Sequence, residues 1–254
     1  MEEKLDFIGD VHGCYDELQL LLQQMGYQEG SHPNGRKLVF IGDLTDRGPD
    51  SLGVIRLVHK LVNVTQSAYY IPGNHCDKLY RYWKGNRVMI RHGLETTIAE
   101  YEQFPVTEQT KIRRQFMQLY EQSPLYQVWN DGQVVAAHAG IRRRDIGKSA
   151  HRLRSFLLYG DVDHQQQKSG KPPVRRDWAK RETNIDPIVV YGHTPVPKPR
   201  VKNRTINIDT GCVFGGFLTA FHYPERTFTM QKSNQPLQVD AFNHEFDYET
   251  LDMN

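Results

Sequence analysis

Along the first third of the chain, short apolar runs alternate with stretches whose apolar residues recur every three or four positions. Leu5-Asp6-Phe7-Ile8 stops at Gly9, Leu38-Val39-Phe40-Ile41 stops at Gly42, and Tyr69-Tyr70-Ile71 stops at Pro72-Gly73. Short runs closed by turn residues predict buried strands. Between them, Leu18, Leu21, Leu22 and Met25 predict a helix over Asp16 to Met25, with Gly26 and Gly30 helping to end it. Leu52, Ile55, Val58 and Leu61 predict a second over Pro49 to Val62, with its proline near the first turn. The resulting β-α-β-α-β order predicts a mainly parallel sheet with helices packed on it, an α/β fold.

From 76 to 131 the pattern turns helical, with Ile112, Phe116, Leu119 and Tyr120 on one face. This stretch reads as a helical insertion capping the sheet, a lid or substrate wall. Strands resume at Val134 to Ala137, Ile188 to Tyr191 and Thr205 to Asp209, and a hairpin over Phe217 to Phe221 and Thr227 to Met230 closes the fold. A basic, polar stretch between His138 and His193 is expected to hold one helix near Lys148 to Tyr159 and a surface loop containing Pro172-Pro173. Residues 235–254 form an acidic, peripheral tail. The whole reads as a single domain, 1–254.

Composition narrows the class. The chain has 254 residues, 38% hydrophobic and 24% charged, which excludes a disordered chain and leaves room for a large core. No apolar run approaches the ~20 residues of a spanning helix, and Met1-Glu2-Glu3-Lys4 carries no signal-peptide pattern. Three cysteines argue against a disulfide framework and for a reducing cytoplasm. A net charge of +2 is too small for bulk nucleic-acid binding, so any polyanion must be met by a local cluster.

Five short motifs near these strand ends set Gly beside Asp, Asn or His. They are Gly9-Asp10-Val11-His12-Gly13, Gly42-Asp43-Leu44-Thr45-Asp46-Arg47-Gly48, Gly73-Asn74-His75, His138-Ala139-Gly140 and Tyr191-Gly192-His193-Thr194. Any one alone reads as a loop or a turn. Together, at the carboxyl ends of strands where α/β sheets gather ligands, they supply donors for two divalent cations and a phosphate. Metals about 3.5–4 Å apart clamp the attacking and leaving oxygens of a displacement and make hydroxide available near neutral pH. Asp43 is the expected bridge, with Asp10 and His12 completing one metal and Asn74, His138 and His193 the other. Mixed oxygen and imidazole ligation suits two transition-metal ions, manganese first, with nickel, cobalt, iron or zinc as further choices.

Arg47 is expected to grip phosphate oxygens bidentately. His75 is expected to protonate the leaving oxygen, with Asp46 orienting it and raising its pKa. Arg175 is a further phosphate candidate. Arg142, Arg143 and Arg144 either meet the extra charge of a polyphosphate or form a solvated basic turn. Asp209 reads as an ordering residue rather than a ligand. No Ser or Cys nucleophile motif is present, so the expected mechanism is direct attack by metal-bridging hydroxide without a phosphoenzyme.

These motifs, in this order, resemble the phosphoprotein-phosphatase branch of the calcineurin-like metallophosphoesterases, whose pattern is GDxHG, GDxxDRG, GNHE, a later HxG or HGG, and GH. The resemblance spans most of the chain and implies a β-sandwich core flanked by helices around a dimetal site. The segment Ile208-Asp209-Thr210-Gly211-Cys212 with Gly215-Gly216 looks like bacterial diadenosine tetraphosphate hydrolases of the PrpE type, the asymmetrical bis(5′-nucleosyl)-tetraphosphatases. Val174-Arg175-Arg176-Asp177-Trp178-Ala179 is similar to a run in the phosphatase domain of bacterial polynucleotide kinase-phosphatase. There the first arginine contacts phosphate, which carries onto Arg175. The family has Glu after Gly-Asn-His where this chain has Cys76, read as a small buried residue, with a redox role alongside Cys14 as the alternative.

The resemblance therefore implies a hydrolase of phosphoanhydride or phosphoester bonds. Its first expectation is diadenosine tetraphosphate cut to AMP and ATP, with Trp178, Tyr191 and Phe214 as base-stacking surfaces or core. A phosphatase for protein Ser/Thr or Tyr, a nucleic-acid-end phosphatase and an inactive nucleotide sensor are the alternatives. The partner is thus a small nucleotide polyphosphate or a phosphoprotein, with no membrane.

Overall fold

A computed structural model describes residues 2–163 and 175–246, and in them the chain forms two five-stranded sheets with six α-helices around them. Pro172-Pro173 and the last part of the expected tail lie outside the described residues. The three N-terminal runs become β1 (Leu5–Ile8), β2 (Lys37–Gly42) and β3 (Ala68–Pro72), which pair in parallel. The second sheet contains β4 (Tyr126–Trp129), β5 (Val134–Ala137), β6 (Ile188–Tyr191), β7 (Arg200–Lys202) and β8 (Thr205–Asn207), in the order β4-β5-β6-β8-β7. Its three central strands are parallel and its two edge strands antiparallel. The closing hairpin, β9 (Phe217–Tyr223) and β10 (Thr227–Lys232), returns to the first sheet and joins it antiparallel along β1.

Alternation along the strands explains the layering. Leu5, Phe7, Val39, Ile41 and Ile71 of the first sheet meet Val134, Ala136, Ile188, Val190 and Ile206 of the second in one apolar cluster. The intervening positions face outward. Ile8, Leu38, Phe40 and Tyr70 pack under α1 (Tyr15–Gln24), α2 (Ser51–His59), α3 (Asn74–Trp83) and α5 (Val106–Gln122). Val135, Ala137, Val189 and Tyr191 pack under α6 (Ala150–Tyr159) and Trp178. The fold is therefore a sandwich of two mixed sheets with helices outside both, not one mainly parallel sheet. Runs such as Val134 to Ala137 are apolar on both faces, so their pattern is the same whether they extend one sheet or start another. Phe7 sits edge-on to Trp129, with ring centroids 5.6 Å apart; truncating such a core ring costs about 3–5 kcal/mol.

Two local details differ from expectation. Pro49 precedes α2 rather than lying in its first turn: Asp50 is the N-cap, its Oδ1 accepting the Gly53 N–H at 2.7 Å. The segment 76–131 is helical through α3, α4 (Leu94–Glu102) and α5, but its end is strand β4. Ile112, Phe116, Leu119 and Tyr120 of α5 join the outer helical layer, and α4 touches the motif loops from outside. Among the described residues no helix is long and apolar enough to cross a membrane.

Candidate active site

The carboxyl ends of β1, β2, β3, β5 and β6 all open to one side, and each is followed directly by one of the five motifs. The acids stitch these loops together. Asp10 Oδ1 accepts the Asp43 N–H at 2.7 Å, and its Oδ2 accepts the His193 N–H at 2.9 Å. Asp43 Oδ1 accepts the N–H groups of His75 and Cys76 at 2.8 and 3.2 Å. Such closeness leaves no room beside the strands. A Cβ on Gly42 would stand 2.3 Å from both Asp10 Oδ1 and His138 Nδ1, and the residue has φ +98°. One on Gly73 would stand 2.3 Å from Asp43 Oδ1. His12, Asp46, Arg47 and His193 also hold positive φ, a strain that gathers at functional sites.

Hydrogen bonds fix how each imidazole is presented. His12 Nδ1 lies 2.7 Å from the Thr45 carbonyl, which can only accept, so Nδ1 carries the proton and Nε2 keeps its lone pair. Arg47 Nη1 donates to that Nε2 at 2.8 Å. His138 lies between the two acids, Nδ1 3.2 Å from Asp10 Oδ1 and Nε2 3.5 Å from Asp43 Oδ2. The first contact is too poorly aligned to be a hydrogen bond, and Nδ1 counts as unpaired despite the short distance. Asn74 Oδ1 and His193 Nδ1 stand 2.9 and 3.0 Å from His138 Nε2. His193 Nε2 is buried with no hydrogen-bond partner. His75 Nδ1 meets Asp46 Oδ2 at 2.7 Å.

Burial sets the protonation pattern. It lowers His12, His75 and His193 well below the ordinary histidine range, helped by the Arg47 charge at the first two and chiefly by His138 at the third. Neutral imidazole is the metal-binding form. His138 goes the other way: burial lowers it, but Asp10 and Asp43 outweigh burial and raise it. Burial, with the charge of Asp10, raises Asp43 to about 7. Asp10 stays low: burial opposes ionisation, but His138 beside it wins. The direction at His75 is opposite to the expected one. Asp46 orients the ring, but burial pushes Asp46 itself up to about 6, and burial with Arg47 controls His75.

This donor set fits divalent cations. Ligand atoms of Asp10, Asp43 and His138 lie within 4.8 Å of one another, as do those of His12, Asp43 and His75, and Asp43 belongs to both groups. The unpaired nitrogens of His138 and His193 are orphaned ligand atoms that a cation would satisfy, and the His12 Nε2 lone pair, which here accepts from Arg47, is a third.

Arg47, Asn74, His75, Arg175, His193 and Asp209 line a cavity of about 220 Å³ above the acids. Phe214 lies beneath Arg47, 5.3 Å from guanidinium carbon to ring centroid. Asp209 Oδ1 accepts the Gly211 N–H at 3.1 Å and so orders its own loop. Arg142, Arg143 and Arg144 border a separate cleft of about 390 Å³ with Asp161, Trp178 and Glu182. Arg142 pairs with Asp161 at 3.1 Å, and Arg143 is held by Glu182 and by the carbonyls of Ile185, Pro187 and Asn203. Trp178 and Tyr191 are core. Cys76 is fully buried, its Sγ accepting the Leu44 N–H at 3.3 Å, and the free thiol of Cys14 neighbours that of Cys212, within 4.8 Å.

Sequence reasoning missed the supports of the second motif. Thr97 Oγ1 donates to Asp46 Oδ1 at 2.8 Å, Ser51 Oγ accepts the Asp46 N–H at 3.1 Å, and Thr96 Oγ1 accepts the Arg47 N–H at 2.9 Å. Both threonines lie in α4, about fifty residues further on, and no local signal marks them.

A two-sheet α/β fold with acids, amide and imidazoles converging below a guanidinium defines a metal-dependent phosphohydrolase. The chain belongs to the calcineurin-like phosphoesterase family, whose profile matches residues 4–216, and it is a hydrolase of phosphoester or phosphoanhydride bonds. Family membership implies divalent metal ions. The chain is 53% identical to the asymmetrical bis(5′-nucleosyl)-tetraphosphatase PrpE of Geobacillus sp. (strain WCH70), over 94% of this chain and 98% of that protein. It is 54% identical to the protein of the same name from Oceanobacillus iheyensis, over 94% and 96%. Among solved structures it is similar to a crystal structure described as "a putative diadenosine tetraphosphatase", with TM-score 0.65, 25% identity, and coverage of 92% of this chain and 95% of that one.

Proposed function

We propose that the protein hydrolyses diadenosine tetraphosphate asymmetrically, adding water to release AMP and ATP. The observation that carries this reading is the 53–54% identity, over nearly the whole of both chains, to two proteins bearing that activity in their names. The substrate class is then a nucleotide polyphosphate. The three free cysteines favour the cytoplasm as its compartment.

Asp10, His12, Asp43, Asn74, His138 and His193 would hold two divalent cations, with manganese preferred, then nickel, cobalt, iron or zinc. Such cations supply charge neutralisation and an acidified water. Arg47 and Arg175, both on the cavity wall, bind the non-bridging oxygens of the phosphate under attack and place its scissile bond over the acids. The Asp46 contact keeps the His75 Nδ1 proton directed away from substrate, so Nε2 faces the cavity. An entering phosphate anion favours protonation of that nitrogen, and Nε2 then gives its proton to the departing oxygen. Residues 1–254 act as one domain in this reading.

The test is anion-exchange chromatography of diadenosine tetraphosphate digested by the manganese-loaded protein. AMP plus ATP is expected. Two molecules of ADP would refute asymmetric cleavage, and intact substrate beside a normally cleaved aryl phosphate would refute the substrate class in favour of a phosphoprotein.

A further inference from the structure

Helix α3 starts at Asn74 and carries Asp77 and Arg81 three and seven residues on, so the three share one helical face. Arg81 reaches back along that face, its Nε donating to Asp77 Oδ2 at 3.0 Å. At ~1.5 Å of rise per residue, Asp77 stands roughly 4.5 Å along the axis from Asn74. Arg154 arrives from α6, its Nη2 donating to Asp77 Oδ1 and to the Tyr120 hydroxyl. Tyr120 in turn donates to the same Asp77 oxygen at 2.6 Å.

One buried carboxylate thus anchors two guanidiniums whose side chains each stay 43% exposed. Arg81 Nη1 and Nη2, and Arg154 Nε and Nη1, make no hydrogen bond among the described residues. The group keeps a positive charge and unused forked donors, the combination that recognises phosphate.

Tyr159 ties this ledge to the metal-side cavity. Its ring lies 6.3 Å from that of His193, and it lines one small cavity with Arg175 and His193. The end of α6 is pinned to the fourth motif, since the Leu157 carbonyl accepts the Ala139 N–H at 2.9 Å.

Cutting a single phosphate needs none of these groups, because Arg47 and Arg175 already face the reacting position. We propose that Arg81 and Arg154, anchored by Asp77, bind the phosphates of a polyphosphate that lie beyond the one attacked, so that this ledge selects chains of several phosphates over monoesters. The inference rests on the tetraphosphatase reading above.

The test compares wild type, Arg81→Ala and Arg154→Lys, all manganese-loaded, on diadenosine tetraphosphate and on p-nitrophenyl phosphate. Arg81→Ala leaves Asp77 paired with Arg154 and Tyr120, and Arg154→Lys keeps the charge but not the fork. Each should raise KM for the tetraphosphate about tenfold and move KM for the aryl phosphate less than about twofold. Inhibition by inorganic tripolyphosphate, set against orthophosphate, gives a second readout: wild type should prefer tripolyphosphate and Arg81→Ala should lose that preference. Equal losses on both substrates, or an unchanged tripolyphosphate preference, overturn the ledge. A wild type that cleaves only the aryl phosphate overturns the tetraphosphatase reading itself, and a preference for tripolyphosphate that depends on Arg81 would still support the ledge.

Discussion

Asp46 Oδ2 lies 2.7 Å from His75 Nδ1, and Thr97 Oγ1 donates to the other oxygen of the same carboxylate at 2.8 Å. The acid is wholly buried, and these two contacts hold the ring against it. His75→Ala is expected to lower turnover by about 10²–10⁴-fold while leaving metal content as in wild type. Asp43→Ala should lose both, since its carboxylate lies between His12 and His138, 3.9 and 3.5 Å from their Nε2 atoms. Elemental analysis beside rates decides the matter: equal metal content in the two variants would sink this division of roles. Asp46→Asn should be milder than His75→Ala, because the amide oxygen can still accept from Nδ1.

The approach at Gly42 makes a second expectation. A methyl group there meets Asp10 and His138 at 2.3 Å and must also tolerate φ +98°. Gly35, with φ +67°, has nothing within 4 Å of the same added carbon. Both substitutions to Ala strain the backbone, at a cost on the order of 1 kcal/mol. Only Gly42→Ala pushes on the donors. Manganese titration should show a sharp loss of affinity for Gly42→Ala and none for Gly35→Ala. Matching affinities would mean that the loops can spread without harm to the centre.

What the chain disclosed in advance follows from the range of each interaction. β5 and β6 were legible to the residue, and the motif donors were legible, because strand, turn and ligand there lie within ten residues of one another. The partition of strands between two sheets was not, since strands buried on both faces carry no mark of which neighbour they face. Thr96 and Thr97 hold Asp46 and Arg47 from about fifty residues away, and Asp77 reads as an ordinary helix charge until Arg154 is brought to it. The arginine run 142–144 shows the reverse: close in sequence to the fourth motif, its Arg142 turns to Asp161 and its Arg143 to Glu182 and three carbonyls.

The cysteines give a third expectation. All three are buried and free. The neighbouring Cys212 thiol, together with burial, pushes the Cys14 thiol up, and burial with the charge of Asp43 pushes Cys76 up to about 12. Thiolate, the reactive form, is scarce at both. Alkylation of the folded protein with iodoacetamide near neutral pH, read by mass spectrometry, should leave Cys14 and Cys76 unmodified, whereas the denatured chain should take three labels. Rapid native labelling of Cys76 would contradict its placement beneath Leu44 and Thr45.

Away from the site, Asp6 forms a buried charge cluster: it accepts from Arg36 at 2.6 Å, from Tyr27 at 2.6 Å and meets His222 at 2.7 Å. Burial alone would raise its pKa, but the hydrogen bonds of His222, Arg36 and Tyr27 prevail and lower it from 3.8 to about 2. A carboxyl depressed in the folded state stabilises the fold above its unfolded value and loses that contribution as pH falls through the folded one. The shift corresponds to about 2 kcal/mol, fully present near pH 6 and lost progressively between about pH 4 and pH 2. Asp6→Asn keeps an acceptor but removes the buried charge, leaving Arg36 to the more exposed Glu225 and two backbone carbonyls, and should cost roughly 3 kcal/mol at pH 7. Urea midpoints of wild type and variant at pH 7, 5 and 3 should therefore converge as pH falls, the gap narrowing by about 1 kcal/mol at pH 3. A gap of constant size across that range would mean that Asp6 contributes through shape alone.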